Sequence, residues 1–252
     1  IKDGATIRGI VFDGASEVAD AIRIDDTVTG APVVISGCTV RNYTNRFVYV
    51  SLSGKIESLT IDDCIFIGAD NSTTNKAIYA SSAHTQVETL SVTNSTFLNF
   101  NTGSNYFFRI NCGEELVLMP VVLIDHCTFY NCYDRRGVYL YNAGRSTIKN
   151  CISAFSERRD DTKSFTAYGD ESIVKNVISY NVDLYGSAPK ENIISKNPLF
   201  VDAENGNFQL YKDSPAVGAG DDGSDLGDPR WGVSTAVSYT HLRAHETVLD
   251  LV

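Results

Sequence analysis

Apolar and polar residues alternate in short runs along this chain, and the runs come back. VISGCTVRN, from Val34, returns in altered form as LTIDDCIFIG from Leu59, LSVTNSTFLN from Leu90 and VLIDHCTFYN from Val122, then as STIKNCISAF from Ser146 and SIVKNVISYN from Ser172. Aligned on one position, the copies place Cys38, Cys64, Ser95, Cys127, Cys151 and Val177 in a column, at intervals of 24 to 32 residues. Ile10, in IRGIVF, fits one step earlier. Each copy has period two (Leu59 and Ile61; Leu90 and Val92) and is rich in β-branched and aromatic residues, which predicts strands. No stretch sustains helical periodicity. A unit this short cannot bury its apolar face alone, so the copies must stack into a solenoid.

Two columns of turn formers separate the strands: Gly37, Asp63, Asn94, His126, Asn150 and Asn176, then Asn42, Gly68, Asn99, Asn131 and Asn181. Asn, Asp and Gly tolerate the left-handed backbone that turns a corner without a long loop. Two such corners per coil and three strands predict an all-β fold, a right-handed parallel β-helix. His126 is expected to be a corner residue like its neighbours in the column. The Cys column should point inward, with Cys38 beside Cys64 and Cys127 beside Cys151 about 4.8 Å apart, the spacing of paired strands. Such a column is either a metal or redox site or a ladder of small buried thiols. Ser95 and Val177 in the same column favour the ladder, and there is no CxxC pair. Cys112 and Cys132 have no evident partner.

Length and charge narrow the function. One elongated domain over 1–231 is expected, since 252 residues with 43% hydrophobic content fill a narrow core. The net charge of −10 argues against nucleic acid, and no apolar run is long enough for membrane insertion. The chain opens inside what reads as a coil already under way, so N-terminal coils are expected to be missing.

Residues 232–252 read as a tail. From Val237 the string VSYTHLRAHET resembles, residue for residue, the translation of a transposase-type sequencing adapter. Residues 237–252 are therefore expected to be non-native, and His241 and His245 are not taken as a metal pair.

The stretch NPLFVDAENGNFQLYKDSPAVGAGDDGSDLGDPRW, Asn197 to Trp231, resembles the closing segment of bacterial pectate-lyase-like β-helix proteins. Its SDLGDPRW ending is similar to an uncharacterised subgroup found beside polysaccharide-utilisation genes. The resemblance implies a secreted, cell-surface or periplasmic protein directed at polysaccharide. It leaves the chemistry open, because lyases, glycosidases and non-catalytic proteins share the scaffold.

A second repeating strand offers an outward row: RFVYVS from Arg46, KAIYAS from Lys76, YFFRIN from Tyr106 and RGVYLY from Arg136, at intervals of 30. If Val48, Val50, Ile78, Ala80, Phe108, Ile110, Val138 and Leu140 face inward, the outer face carries Tyr49, Tyr79, Arg109 and Tyr139. Phe47, Phe107, Ser51, Ser81, Asn111 and Tyr141 should flank them, with Arg46, Lys76, Arg135 and Arg136 adding charge. Aromatic rings stack on the apolar faces of sugars, while Arg and Asn bind carboxylates and hydroxyls. The competing reading is that Tyr and Phe merely favour strands, and that loops such as 113–120 cover the row.

Cleaving a uronic-acid polymer by β-elimination requires neutralising the carboxylate and then removing the adjacent proton. Arg109 is the candidate for the first task, and Lys76, Arg136 and Tyr139 are candidates for base or acid. The resemblance implies Ca²⁺ as a possible cofactor, yet only Glu114 and Glu115 stand near, and adjacent acids point to opposite sides. A glycosidase would need two carboxylates flanking the sugar. Asp25–Asp26, Asp62–Asp63, Asp160–Asp161 and Asp221–Asp222 read more simply as solvated turns, and the row itself carries no acid. The expectation is thus a monomeric protein binding or cleaving a uronate-containing polysaccharide; the alternative is a non-catalytic glycan-binding or structural β-helix module.

Overall fold

The computed structural model describes residues 1, 4–25, 27–28, 32–51, 55–69, 75–82, 86–101, 106–112, 120–141, 143 and 145–235. The adapter-like string, Glu114, Glu115 and most of the 113–120 loop lie outside them.

The chain winds as a parallel β-solenoid with three strands per coil. Sheet 1 stacks Ala5–Arg8, Val33–Ser36, Lys55–Asp62, Gln86–Thr93 and Val121–Asp125 in register. Sheet 2 stacks Val11–Asp13, Thr39–Arg41, Ile65–Ile67, Thr96–Leu98 and Thr128–Tyr130. The longer strands Arg145–Ala154 and Ile173–Tyr180 run through the corner and extend both sheets. Among the described residues sheet 3 has seven strands: Asp20–Ile24, Arg46–Val50, Lys76–Ser82, Phe108–Cys112, Val138–Leu140, Lys163–Ala167 and Asp183–Tyr185.

The corners are made as their residues dictate. Gly37, Asp63, Asn94, His126, Asn150 and Asn176 all hold φ between 49° and 61° at the turn from sheet 1 to sheet 2. Asn42, Asn99, Asn131 and Asn181 do the same, at 52° to 60°, between sheets 2 and 3. Gly68 fills that second column for another reason: a Cβ there would strike the Asn99 carbonyl oxygen. Side-chain amides tie adjacent coils, as where Asn94 Nδ2 donates to Asp62 Oδ1 at 2.8 Å and Asn150 Nδ2 to Asp125 Oδ1 at 2.9 Å.

The interior is a set of ladders. Phe66, Phe97 and Phe129 stack at 4.9 Å between centroids with rings within 7° of parallel, because in-register strands place like residues one above another. The Cys column lies inside, buried at Cys38, Cys64, Cys127 and Cys151. Each thiol donates to a backbone carbonyl two residues back, for example Cys127 Sγ to Asp125 O at 3.3 Å. Burial pushes the Cys64 thiol up to about 12.

Residues 197–235 fold back across the outside of sheet 2. Phe200–Asp202 pairs antiparallel with Asn207–Leu210, and Phe208, Leu210, Ala216 and Leu226 form a second core with Tyr130, Ile152, Ala154 and Ile178. Polar clasps hold this closing segment to the coil corners. Asp228 accepts from Thr96 Oγ1 at 2.6 Å, Arg230 Nη2 meets Asp63 Oδ1 at 2.6 Å, and Asp221 pairs with Lys149 and Lys175 at 3.2 and 3.0 Å. Asp63 and Asp221 are therefore not simply solvated turns, a correction with a topological cause: their partners lie far away in sequence. His126 keeps the expected corner role, its Nε2 lying 2.7 Å from Ser224 Oγ in the closing segment. The later coils of sheet 2 are thus covered on their outer side by the chain itself, while its first strands stay exposed, Val11 at 62%. Among the described residues no helix is long and apolar enough to cross a membrane.

Candidate functional site

The outer face of sheet 3 carries two adjacent rows set by strand register. Arg23, Tyr49, Tyr79, Arg109 and Tyr139 align across the first five strands. Three residues earlier on the strands, Asp20, Arg46 and Lys76 align, and the same register carries the row on to Tyr106 and Arg136. Val48, Val50, Ile78, Ala80, Phe108, Ile110, Val138 and Leu140 are buried beneath, which is why the polar set must point out.

Interlocked side chains fill the two rows. Arg46 lies 3.6 Å over the Tyr49 ring, Arg109 4.4 Å over Tyr106 and Arg136 4.8 Å over Tyr139. Tyr106 stacks on Tyr139 at 5.8 Å, and Tyr139 on Tyr141 at 5.7 Å. Tyr168 closes edge-on against both Tyr139 and Tyr141. The packing leaves Tyr49 and Tyr139 only 6% and 5% exposed, while Tyr141 and Tyr185 remain open at 38% and 56%. Tyr79, Arg109 and Asn111 are half-buried.

Charge is distributed unevenly along the face. Arg46 is neutralised at one end by a two-point bridge to Asp20, at 2.8 and 2.9 Å, and Lys163 at the other end by Asp183 at 3.2 Å. Between them Arg109 and Arg136 make no ion pair with any described carboxylate. Arg109 Nη1 donates to the Tyr106 hydroxyl, and its buried Nε finds no hydrogen-bond partner among the described residues. Burial lowers the Lys76 ammonium pKa, Asp134 opposes the shift, and Arg46 and Arg109 assist it. Burial also raises the Tyr106 phenol, with Arg109 pulling the other way. Beside the rows, Arg135, Arg136, Lys163 and Tyr185 line a cavity of about 330 Å³ together with Asp160 and Asp161.

The structure brings Arg109, Lys76, Arg136, Tyr49, Tyr79, Tyr139 and Asn111 onto one face. Phe47 and Phe107 do not join them: both are core residues packed against Phe100, Phe47 tilted at 5.4 Å and Phe107 stacked at 5.2 Å. The corner before sheet 3 turns Phe47 inward together with Val48, so strict alternation fails there. The row of Arg23, Tyr49, Tyr79, Arg109 and Tyr139 itself carries no acid. Off the row, between strands, Asp134 is 1% exposed and acts on the charge of Lys76.

Tyr106, Tyr168 and Tyr185 complete the face without having been assigned to it from the sequence. Tyr106 shares the 30-residue interval of Arg46, Lys76 and Arg136, so its place was readable. Tyr168 and Tyr185 were not, because the last coils are shorter. Among the described residues no group of three or more His, Cys, Asp or Glu is placed to hold a metal ion. The Ca²⁺ suggested by resemblance therefore finds no donor set among the described residues, outside which Glu114 and Glu115 lie.

Two stretches of the chain match families. Residues 1–100 match a domain of unknown function (DUF4957), and residues 122–231 match a second domain of unknown function (DUF5123). No curated protein matches the chain. The two stretches share continuous sheets, since Thr96–Leu98 pairs directly with Thr128–Tyr130 and Trp231 Nε1 donates to Thr96 Oγ1 at 2.8 Å. The chain is thus similar, over both stretches, to domains whose descriptions name no activity, built here into one solenoid wall.

Proposed function

We propose that the outer face of sheet 3 binds a uronate-containing polysaccharide laid across the coils. The observation that carries this reading is the state of Arg109 and Arg136. Both guanidinium groups are oriented by tyrosine rings and are left without a described carboxylate, so their charge is available to an external anion. A guanidinium held in place binds a carboxylate with two parallel hydrogen bonds and little entropic loss. Tyr141 and Tyr185 supply open ring surface for the apolar faces of neighbouring sugars. Such a polymer is met outside the cytoplasm, in keeping with an extracytoplasmic protein of the pectate-lyase-like kind.

A second reading, cleavage, is favoured by Lys76. A lysine whose pKa is lowered by burial holds more neutral amine than an exposed one, and a neutral amine is a base. With the sugar carboxylate on Arg109, Lys76 Nζ would take the proton from the carbon beside it. The electron pair would form a carbon–carbon double bond as the glycosidic C–O bond breaks. The departing oxygen would take a proton from the Tyr106 phenol or from water.

Titration calorimetry with polygalacturonate, alginate and glycosaminoglycans tests the binding, and ultraviolet absorbance of the same mixtures tests the elimination. Affinity for at least one acidic polymer, weakened tenfold or more in Arg109→Ala, is expected. Absorbance growth that is abolished in Lys76→Ala, with binding retained, would add the lyase step; its absence leaves a glycan-binding β-helix.

A further inference from the structure

We propose a second saccharide site, for a neutral sugar, in the pocket between the closing segment and the corner of sheets 1 and 2. This pocket encloses about 600 Å³, within the roughly 300–1,000 Å³ typical of ligand sites. Its apolar wall is Trp231, Leu210 and Leu226, and its polar rim includes His126, Asp222 and Asp225. That is the composition a pyranose needs: a ring for its C–H face and acceptors for its hydroxyls.

The walls are fixed before any ligand arrives. Trp231 is pinned by its indole N–H to Thr96 at 2.8 Å and stands edge-on to Phe208 at 5.4 Å. The rim is a hydrogen-bonded chain: Ser224 Oγ donates to Asp222 Oδ1 at 2.6 Å and lies 2.7 Å from His126 Nε2, while His126 Nδ1 lies 2.9 Å from Asp125 Oδ1. Preformed walls lower the ordering cost of binding.

Charge sets the class of sugar. Asp222 stands open on the rim, Asp225 is half-buried with Oδ1 accepting from Gly218 N–H at 2.9 Å, and hydrogen bonds from Ser224 hold Asp222 below the usual carboxylate range, so it is ionised at neutral pH. Arg230, the nearest guanidinium, is already taken by Asp63 and Asp228. A uronate would meet uncompensated negative charge there, whereas a neutral hexose or pentose would meet acceptors. The pocket therefore has the opposite preference to the face of sheet 3.

Trp231 is the only tryptophan in the chain, so its emission has a single source, and that source lies in the wall of this pocket. The emission of the full chain is followed while gluco-, galacto-, xylo- and manno-oligosaccharides are added, with oligogalacturonate as the acidic counterpart. A saturable change with at least one neutral oligosaccharide is expected, unaltered in Arg109→Ala. Gly232→Leu should weaken it tenfold or more: a Cβ at Gly232 meets nothing nearer than Pro229 O at 3.9 Å, so the side chain can occupy the pocket without backbone strain. Asp222→Ala, at an exposed position, should weaken it independently if Gly232→Leu folds poorly. No response to any neutral sugar overturns the proposal. So does a response that survives both pocket variants, or one given only by the acidic oligomer and lost in Arg109→Ala. That last result would leave the sheet 3 reading intact, so the two failures are distinguishable.

Discussion

At the scale of single residues, the face of sheet 3 works through paired tyrosines and guanidinium groups. A cation over an aromatic ring contributes about 0.5–1 kcal/mol when exposed and about 2 kcal/mol when desolvated, enough to orient Arg109 without neutralising it. Arg109→Lys keeps the charge but loses the planar stack on Tyr106. Its affinity for an acidic polymer should fall between those of the wild type and Arg109→Ala, with an unchanged melting temperature; equal affinity of the Lys variant and wild type would show that the stack is irrelevant. Much of this face was legible, because Tyr49, Tyr79, Arg109 and Tyr139 recur every 30 residues and a strand sends alternate residues outward. Phe47 and Phe107 were misplaced because a corner breaks that alternation. Asp134 was missed because it lies in a turn rather than on a strand.

Among the elements, two kinds of contact hold coil to coil. The Phe66–Phe97–Phe129 stack is fully buried, so Phe97→Ala should cost about 3–5 kcal/mol in urea unfolding, the usual penalty for emptying an aromatic core position. Gly137, at φ 56°, leads into the strand that carries Tyr139, and a Cβ there would strike the backbone oxygens of Lys163 and Ser164. Gly137→Ala should therefore destabilise the fold and the face together. The clasp of the closing segment brings a pH dependence. Hydrogen bonds from Asn150 and then Lys175, assisted by Lys149, depress the Asp221 carboxyl in the folded state. The stability this supplies is present above the unfolded value of about 3.9 and is lost as pH falls through the lower folded value. Melting temperatures of wild type and Asp221→Asn should differ at pH 7, and the gap should narrow as pH falls progressively below about 3.9; a gap that stays constant, or widens, over that acid range would contradict this. The corner columns announced themselves through Asn, Asp and Gly at fixed places. The clasp could not, since Asp221, Asp228 and Arg230 find their partners 72, 132 and 167 residues away.

For the whole molecule, the relevant fact is which walls are open. The closing segment covers the later coils of sheet 2, whereas sheet 3 presents rows of cations and tyrosines that a long acidic ligand could follow across the coils. A net charge of −10 would repel a polyanion, and the central cations of that face are what offset it locally. Binding of an acidic polymer should accordingly weaken as salt screens those few charges. Continuous pairing between the two family-matched stretches also implies one cooperative unit. Tyrosine circular dichroism and Trp231 emission should lose their native signals at the same urea concentration, and two separated midpoints would divide the solenoid. The most direct test of the central claim is calorimetric titration of the protein with uronate polymers, run in parallel for wild type and Arg109→Ala. Binding of an acidic polymer that drops at least tenfold in the variant is the predicted result. No binding to any of them, or binding indifferent to Arg109, would remove the face of sheet 3 as a glycan site.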